Sequence, residues 1–73
     1  MDIQSVISLW VRGIPAKSGN VRTDGFTLWS YSTIIGLPDG EGGRIAIRPQ
    51  FRSVTTSKHV NWAAKAAGKV RDE

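Results

Sequence analysis

The chain has 73 residues and a formal net charge of +4, from ten Lys and Arg against six Asp and Glu, with no Cys and one His. A chain of this length forms a single domain and buries only about 60% of the surface that its unfolded form exposes. The lack of Cys excludes disulfides, and one His without Cys excludes a structural zinc site. We therefore expect no metal and no cofactor. A homo-oligomer remains open, because small cores often gain burial from a second copy.

Membrane insertion is not expected, because the chain has no apolar run of about 18 residues. The N-terminal segment is mildly apolar, but Asp2 stands where a secretory signal peptide carries Lys or Arg. These features predict a cytoplasmic protein.

Three segments predict the strands of a small antiparallel sheet. β-Branched and aromatic residues favour a strand over about residues 3–12 and a second one over residues 26–35. Residues 13–25 contain Gly, Pro, Ser, Asn and Asp and end in the turn dipeptide Asp24-Gly25, and they predict a loop. Residues 36–43 contain three closely spaced glycines and predict a hairpin turn before a third strand.

The predicted third strand, over about residues 43–52, has the clearest alternation. Its apolar residues alternate with three arginines, which are Arg44, Arg48 and Arg52. Because successive residues of a strand point to opposite faces, we expect one apolar face, with Ile45 and Ile47, and one exposed basic face. Pro49 cannot donate a ladder hydrogen bond, so this strand either lies at a sheet edge or breaks at Pro49.

Residues 56–70 predict the C-terminal helix. The apolar stripe at 3.6-residue spacing consists of Val60, Ala63, Ala64, Ala67 and Val70. Lys58, Lys65 and Lys69 fall on the opposite side, and Trp62 projects about 40° from Lys58 at helical spacing. The sequence therefore predicts an α+β domain in the order β-β-β-α, with a sheet of three or more strands packed on one helix.

Basic residues dominate the second half of the chain: between Gly42 and Arg71 there are seven Lys or Arg and no acidic residue. Such a surface attracts anionic partners, of which nucleic acid is the commonest. The candidate partner-binding residues are Trp62, Lys58, Lys65, Lys69, Arg44, Arg48 and Arg52. Trp62 would anchor a partner or stack on a base; the alternative is that it covers a sheet edge. For the arginines, the alternative is a solvated edge strand whose charge opposes aggregation.

The start of the predicted helix is a candidate anion site. Free amides at a helix N-terminus attract anions, and neighbouring hydroxyl and amino groups add donors. The residues concerned are Thr55, Thr56, Ser57, Lys58 and His59. The alternative is ordinary N-capping of the helix.

Two further hypotheses concern aromatic and catalytic residues. Trp10, Trp29 and Tyr31 would share a sheet face and form a platform for single-stranded nucleic acid, unless they pack in the core. A catalytic site is not predicted: His59 has no acidic neighbour to orient it, and there is no Cys nucleophile. The Gly-rich turn fits neither a P-loop nor a dinucleotide fingerprint.

Several short motifs resemble a family of small bacteriophage or mobile-element proteins. The resemblance is carried by Gly19-Asn20, Asp24-Gly25, a Ser-Tyr-x-Thr-x-Ile segment at residues 30–35 and a Ser-x-Thr-Thr-Ser-Lys-His-x-Asn segment at residues 53–61. Gly36 departs from the pattern, which often has Ala there. The resemblance implies phage origin and hence a location in the host cytoplasm, but no activity.

The sequence thus predicts a non-enzymatic phage accessory protein that binds and inhibits or redirects a host protein or nucleoprotein complex. A complex that handles nucleic acid, such as a CRISPR effector, fits the basic charge. Two alternatives remain. One is direct nucleic-acid binding through a basic aromatic face, and the other is capture of a nucleotide signal at the helix start.

Overall fold

The computed structural model describes residues 1–50 and 53–73, which form an α+β fold with two helices and a six-stranded sheet. The helices are α1 (Ile3–Val11) and α2 (Val54–Ala67). The strands are β1 (Ala16–Ser18), β2 (Val21–Thr23), β3 (Leu28–Ser30), β4 (Thr33–Pro38), β5 (Arg44–Arg48) and β6 (Val70–Asp72). They lie in chain order across the sheet, and all neighbours are antiparallel except β5 and β6, which are parallel. The sheet is therefore mixed, not purely antiparallel as predicted.

The prediction of a strand over residues 3–12 is wrong, because this segment forms α1. Asp2 caps the helix by accepting a hydrogen bond from the amide of Ser5 at 2.8 Å. Val6, Ile7 and Trp10 are buried on one side of the helix. Burial at this helical spacing outweighs the strand preference of the β-branched residues.

The first half of the sheet consists of two tight hairpins where the sequence predicted a loop and one long strand. The predicted loop contains β1 and β2, which are joined by the two-residue turn Gly19-Asn20. The predicted strand over residues 26–35 is interrupted by the turn Tyr31-Ser32, which separates β3 from β4. A register shift follows within the β3–β4 pair, so the simple alternation expected for residues 26–35 does not hold.

The predicted hairpin at residues 36–43 is confirmed, since it joins the antiparallel strands β4 and β5. β5 ends at Arg48, so the predicted break at Pro49 is also confirmed. The alternative of an edge strand is wrong, because β5 lies between β4 and β6. Phe51 and Arg52, at the end of the predicted strand, lie outside the described residues.

The C-terminal helix is confirmed with shifted boundaries. α2 starts at Val54, just before the predicted start, because the side chain of Ser53 accepts the amide hydrogen of Thr56 and caps the helix. It ends at Ala67 and is capped by Gly68, which has a φ of 77° and is suited to the left-handed conformation. Lys69 and Val70 therefore lie beyond the helix, and Val70 begins β6.

Both helices pack on the same face of the sheet and against each other. The core comprises Val6, Ile7, Trp10, Val21, Leu28, Ile35, Ala46, Val60 and Ala63. Trp10 is completely buried, and its indole nitrogen donates to the carbonyl of Phe26 at 2.8 Å. Its ring lies directly on Gly36, where a Cβ would come within 2.3 Å of it. Gly36 is thus required by the position of Trp10.

Within the described residues, neither helix combines the length and apolar character needed to cross a membrane.

Candidate functional site

Arg44 is a structural residue, which corrects the prediction that it lies on an exposed basic face. It is only 8% exposed. Its guanidinium donates to the carbonyls of Trp10 at 3.1 Å, Gly43 at 3.0 Å and Gly25. The reason is that Arg44 shares its strand face with Ala46, which lies in the core below the helices. Arg44 therefore joins the end of α1 to the loop after β2 and is not available to a partner.

The other predicted basic residues of the strand face and helix end are dispersed. Arg48 forms an ion pair of 2.8 Å with Asp72 on β6. Lys69 binds the carboxylate of Asp39 in the β4–β5 hairpin. Lys69, with the amides of Glu41 and Gly43, holds the pKa of Asp39 at about 2, and Asp39 in turn raises the pKa of Lys69. Arg52 lies outside the described residues.

Two of the five residues of the predicted anion site at the start of α2 are turned inward. Thr56 and His59 are buried, and His59 Nδ1 shares a hydrogen bond of 2.7 Å with Ser30 Oγ on β3. Thr56 Oγ1 lies 3.4 Å from the same hydroxyl. These contacts join α2 to the sheet, so the positions of Thr56 and His59 are explained by packing without a bound anion. Thr55 and Lys58 are exposed, and Ser57 is partly buried.

Burial determines the charge state of His59. The side chain is 3% exposed, and loss of hydration, with a smaller effect from the charge of Lys58, lowers its pKa from the ordinary value of 6.5. The ring is therefore neutral at pH 7 in the folded protein, and it lies tilted at 5.9 Å from the ring of Trp62.

Trp62 is partly buried and packs against the core, so it is not the fully exposed residue that its helical position suggested. The ammonium of Lys58 lies 4.9 Å from the centre of the Trp62 ring, which is a cation–π distance. A groove of about 300 Å³ runs beside Trp62 between the two helices, with Gln4 and Ser8 on α1 and Lys65 on α2 in its lining. The structure thus brings together Trp62, Lys58 and Lys65, but not Lys69.

The opposite face of the sheet is open, since neither described helix covers it. We call it the open face. Cross-strand pairing places Lys17, Arg22, Trp29 and Ile34 side by side across β1 to β4. Their neighbours along β2 and β3 are buried against the helices, as alternation along a strand requires.

Arg22 and Trp29 form the centre of this row. The guanidinium carbon of Arg22 lies 4.1 Å from the centre of the Trp29 ring, so the two planar groups form one composite surface. Lys17 is paired with Arg22 on the next strand. Asp24 also lines this area. Its carboxylate accepts the amide hydrogens of Thr27 and Phe26, and these hydrogen bonds, with a smaller effect from the charge of Arg22, lower its pKa.

Tyr31 lies at the β3–β4 turn, beside the basic end of the row. It is 51% exposed, and its φ of 56° is in the left-handed region that favours glycine. Its amide donates to the carbonyl of Asn20 at 2.7 Å, which joins the two hairpin turns. A depression of about 200 Å³ lies between Tyr31, Lys17, Arg22 and the Gly19-Asn20 turn.

The other half of the open face is apolar. Ile34 is 44% exposed, and Leu37 and Ile45 are partly exposed as paired neighbours on β4 and β5. Ile47 on β5 is only 6% exposed, and it lines a depression together with Ile34, Leu37 and Arg71. The open face therefore changes from basic and aromatic at β1–β3 to aliphatic at β4–β5.

The predicted platform of Trp10, Trp29 and Tyr31 is correct only for the position of Trp29 on a sheet face. Trp10 lies in the core on α1, and Tyr31 lies in a turn. Arg22 and Lys17 were not predicted as site residues. The alternation in Val21-Arg22-Thr23 is the only sequence feature that could have indicated a strand with Arg22 outward, and three residues are too few for that.

No three potential metal ligands cluster among residues 1–50 and 53–73. The hydrogen-bonded hydroxyl of Ser30 and imidazole of His59 resemble a nucleophile and its general base. Ser30, however, is 0% exposed. A substrate would not reach it in this conformation.

Comparisons with protein-family models, curated proteins and solved structures gave no match to this chain. The resemblance to small phage proteins therefore stays a prediction.

Proposed function

We propose that this chain is a non-enzymatic binding protein that contacts nucleic acid through the open face of its sheet. The row of Lys17, Arg22 and Trp29 supports this proposal most directly. It combines two cations with an aromatic ring on adjacent strands. Neither cation belongs to an ion pair of the described residues, although the charge of Arg22 also acts on the nearby carboxylate of Asp24. Cations that follow a phosphate backbone beside an aromatic surface are typical of proteins that bind nucleic acid.

The surroundings of the other predicted sites favour this function over its alternatives. Capture of a nucleotide at the start of α2 has little support, because Thr56 and His59 contact Ser30 in the interior. Arg44, on the predicted basic strand face, already donates its hydrogen bonds to the backbone carbonyls of Trp10 and Gly25. In a phage setting, the open face would act on a host complex that contains nucleic acid, which is the role expected from the sequence.

The experiment is a titration of a labelled oligonucleotide followed by fluorescence anisotropy at two salt concentrations. Two phosphate contacts, from Lys17 and Arg22, should reduce the affinity by about sevenfold between about 50 mM and about 200 mM salt, at a slope of about −0.7 per contact for a single strand. The double variant Lys17→Ala/Arg22→Ala should bind weakly and lose most of this salt dependence.

The matched control is Lys58→Ala/Lys65→Ala, which also removes two positive charges, but from exposed positions on α2. If the open face is the site, this control keeps most of the affinity. Equal losses in both double variants would show that only net charge matters. A protein that binds no oligonucleotide at low salt would refute the proposal.

A second candidate function is docking of a host protein at the groove between α1 and α2. Its specific support is the partly buried Trp62, with Lys58 on its ring and Lys65 in the groove lining. Partly buried tryptophans often anchor protein interfaces. Binding to a host complex that survives nuclease treatment, and that Trp62→Ala abolishes while Arg22→Ala does not, would favour this candidate.

A further inference from the structure

The depression beside Tyr31 has the composition of a site for one unpaired nucleotide. It is lined by Tyr31, by Gly19 and Asn20 of the neighbouring turn, and by the two cations Lys17 and Arg22. An aromatic ring can stack on a base, an amide can bind a base edge, and the cations can bind the adjoining phosphate. All three types of group occur together here within about 200 Å³.

The backbone conformation of Tyr31 also indicates a functional position. A bulky residue with φ of 56° is uncommon, since this conformation costs free energy for any side chain other than glycine. Glycine would fit the two-residue turn without strain, as it does in the neighbouring turn at Gly19, where φ is 58°. Packing does not explain the tyrosine, because its side chain is half-exposed. Such strain tends to occur at functional positions.

The shape of the open face favours single strands over duplexes. Both described helices lie on the other side of the sheet, so no helix projects from this face into a major groove. In a duplex, the faces of the bases are stacked on one another and cannot contact Tyr31 or the Arg22–Trp29 pair. In a single strand, the bases can turn outward and stack on such groups.

We propose that the open face binds single-stranded nucleic acid, with one base on Tyr31 in this depression and its phosphate on Lys17 and Arg22. This inference rests on the proposed nucleic-acid binding and specifies its substrate. The adjoining nucleotide would extend along the row toward Trp29, which lies next to Arg22.

The test uses Tyr31→Gly and Tyr31→Phe in the full chain, each titrated with a labelled single strand and with a duplex of the same sequence. The wild-type protein should bind the single strand more tightly. Tyr31→Gly should weaken single-strand binding by about fivefold to 150-fold, the effect of losing one base–aromatic stack. Tyr31→Phe keeps the ring and should bind within about twofold of the wild type, because stacking needs only the aromatic face.

Thermal unfolding separates this role from a structural one. Tyr31→Gly should unfold at the same temperature or higher, because glycine accepts the left-handed φ without strain. Equal binding of single strand and duplex, or undiminished binding by a folded Tyr31→Gly variant, would overturn the inference and leave nucleic-acid binding in place. No binding to either oligonucleotide would refute both proposals.

Discussion

Arg44 and Arg22 lie on opposite faces of the same sheet, and their surroundings differ. Arg44 is 8% exposed and donates to three backbone carbonyls. Arg22 is exposed, and its guanidinium lies over the ring of Trp29. The inward face uses its polar groups to hold helices and loops together, whereas the outward face leaves cations and an aromatic ring in contact with solvent.

This contrast shows that charge composition alone does not locate a binding surface in a small protein. Most of the seven basic residues between Gly42 and Arg71 were predicted to bind a partner. Three of them, Arg44, Arg48 and Lys69, are held by backbone carbonyls or carboxylates. The proposed site uses basic residues from the first half of the chain instead.

The sharpest way to break the comparison is to replace each arginine by leucine. Arg44→Leu should lower the free energy of unfolding by about 3 kcal/mol, because it leaves the buried carbonyls of Trp10 and Gly25 without this donor. Arg22→Leu should lower it by about 1 kcal/mol or less, the range for an exposed residue that loses a cation–π contact. Urea denaturation measures both. Similar losses in the two variants would show that the faces do not differ in this way.

A smaller effect concerns the buried His59, the only histidine of the chain. Because its pKa is lowered in the folded state, the unfolded chain takes up a proton at higher pH than the folded one. The stability is complete above about pH 6.5 and is lost as the pH falls through the lowered pKa.

The melting temperature of the wild type should therefore fall between pH 7 and pH 5, the range in which an ordinary histidine of pKa about 6.5 titrates. His59→Gln can still hydrogen-bond Ser30 but does not titrate, so its melting temperature should change less over that interval. Equal pH dependence in the two proteins would mean that His59 can be protonated without loss of the Ser30 contact.

The sequence predicted α2 well, because its alanines recur at helical spacing and Ser53 and its neighbours can cap it. It predicted β5 and the hairpin before it for a similar reason, since both depend on local alternation and turn residues. The strand prediction for residues 3–12 was wrong because it rested on their β-branched and aromatic residues and not on the spacing of the apolar ones. The cap at Asp2 and the apolar residues Val6, Ile7 and Trp10 at helical intervals were visible in the sequence.

The site was less predictable because it depends on contacts between distant residues. The orientation of Arg44 depends on carbonyls 34 and 19 positions away. Ala46, a small residue between Arg44 and Arg48, was the one local indication that this face points to the core. The row of Lys17, Arg22 and Trp29 exists only after two hairpins have paired, so no short motif contains it.

The most direct test of the open face is to record amide resonances of the folded protein while a single-stranded oligonucleotide is added. If this face binds nucleic acid, the largest shifts should lie in β1–β3 and the turns next to them, at Lys17, Arg22, Trp29 and Tyr31. The resonances of Lys58, Trp62 and Lys65 on α2 should move little. Shifts concentrated on α2, with the open face unchanged, would contradict the proposed function.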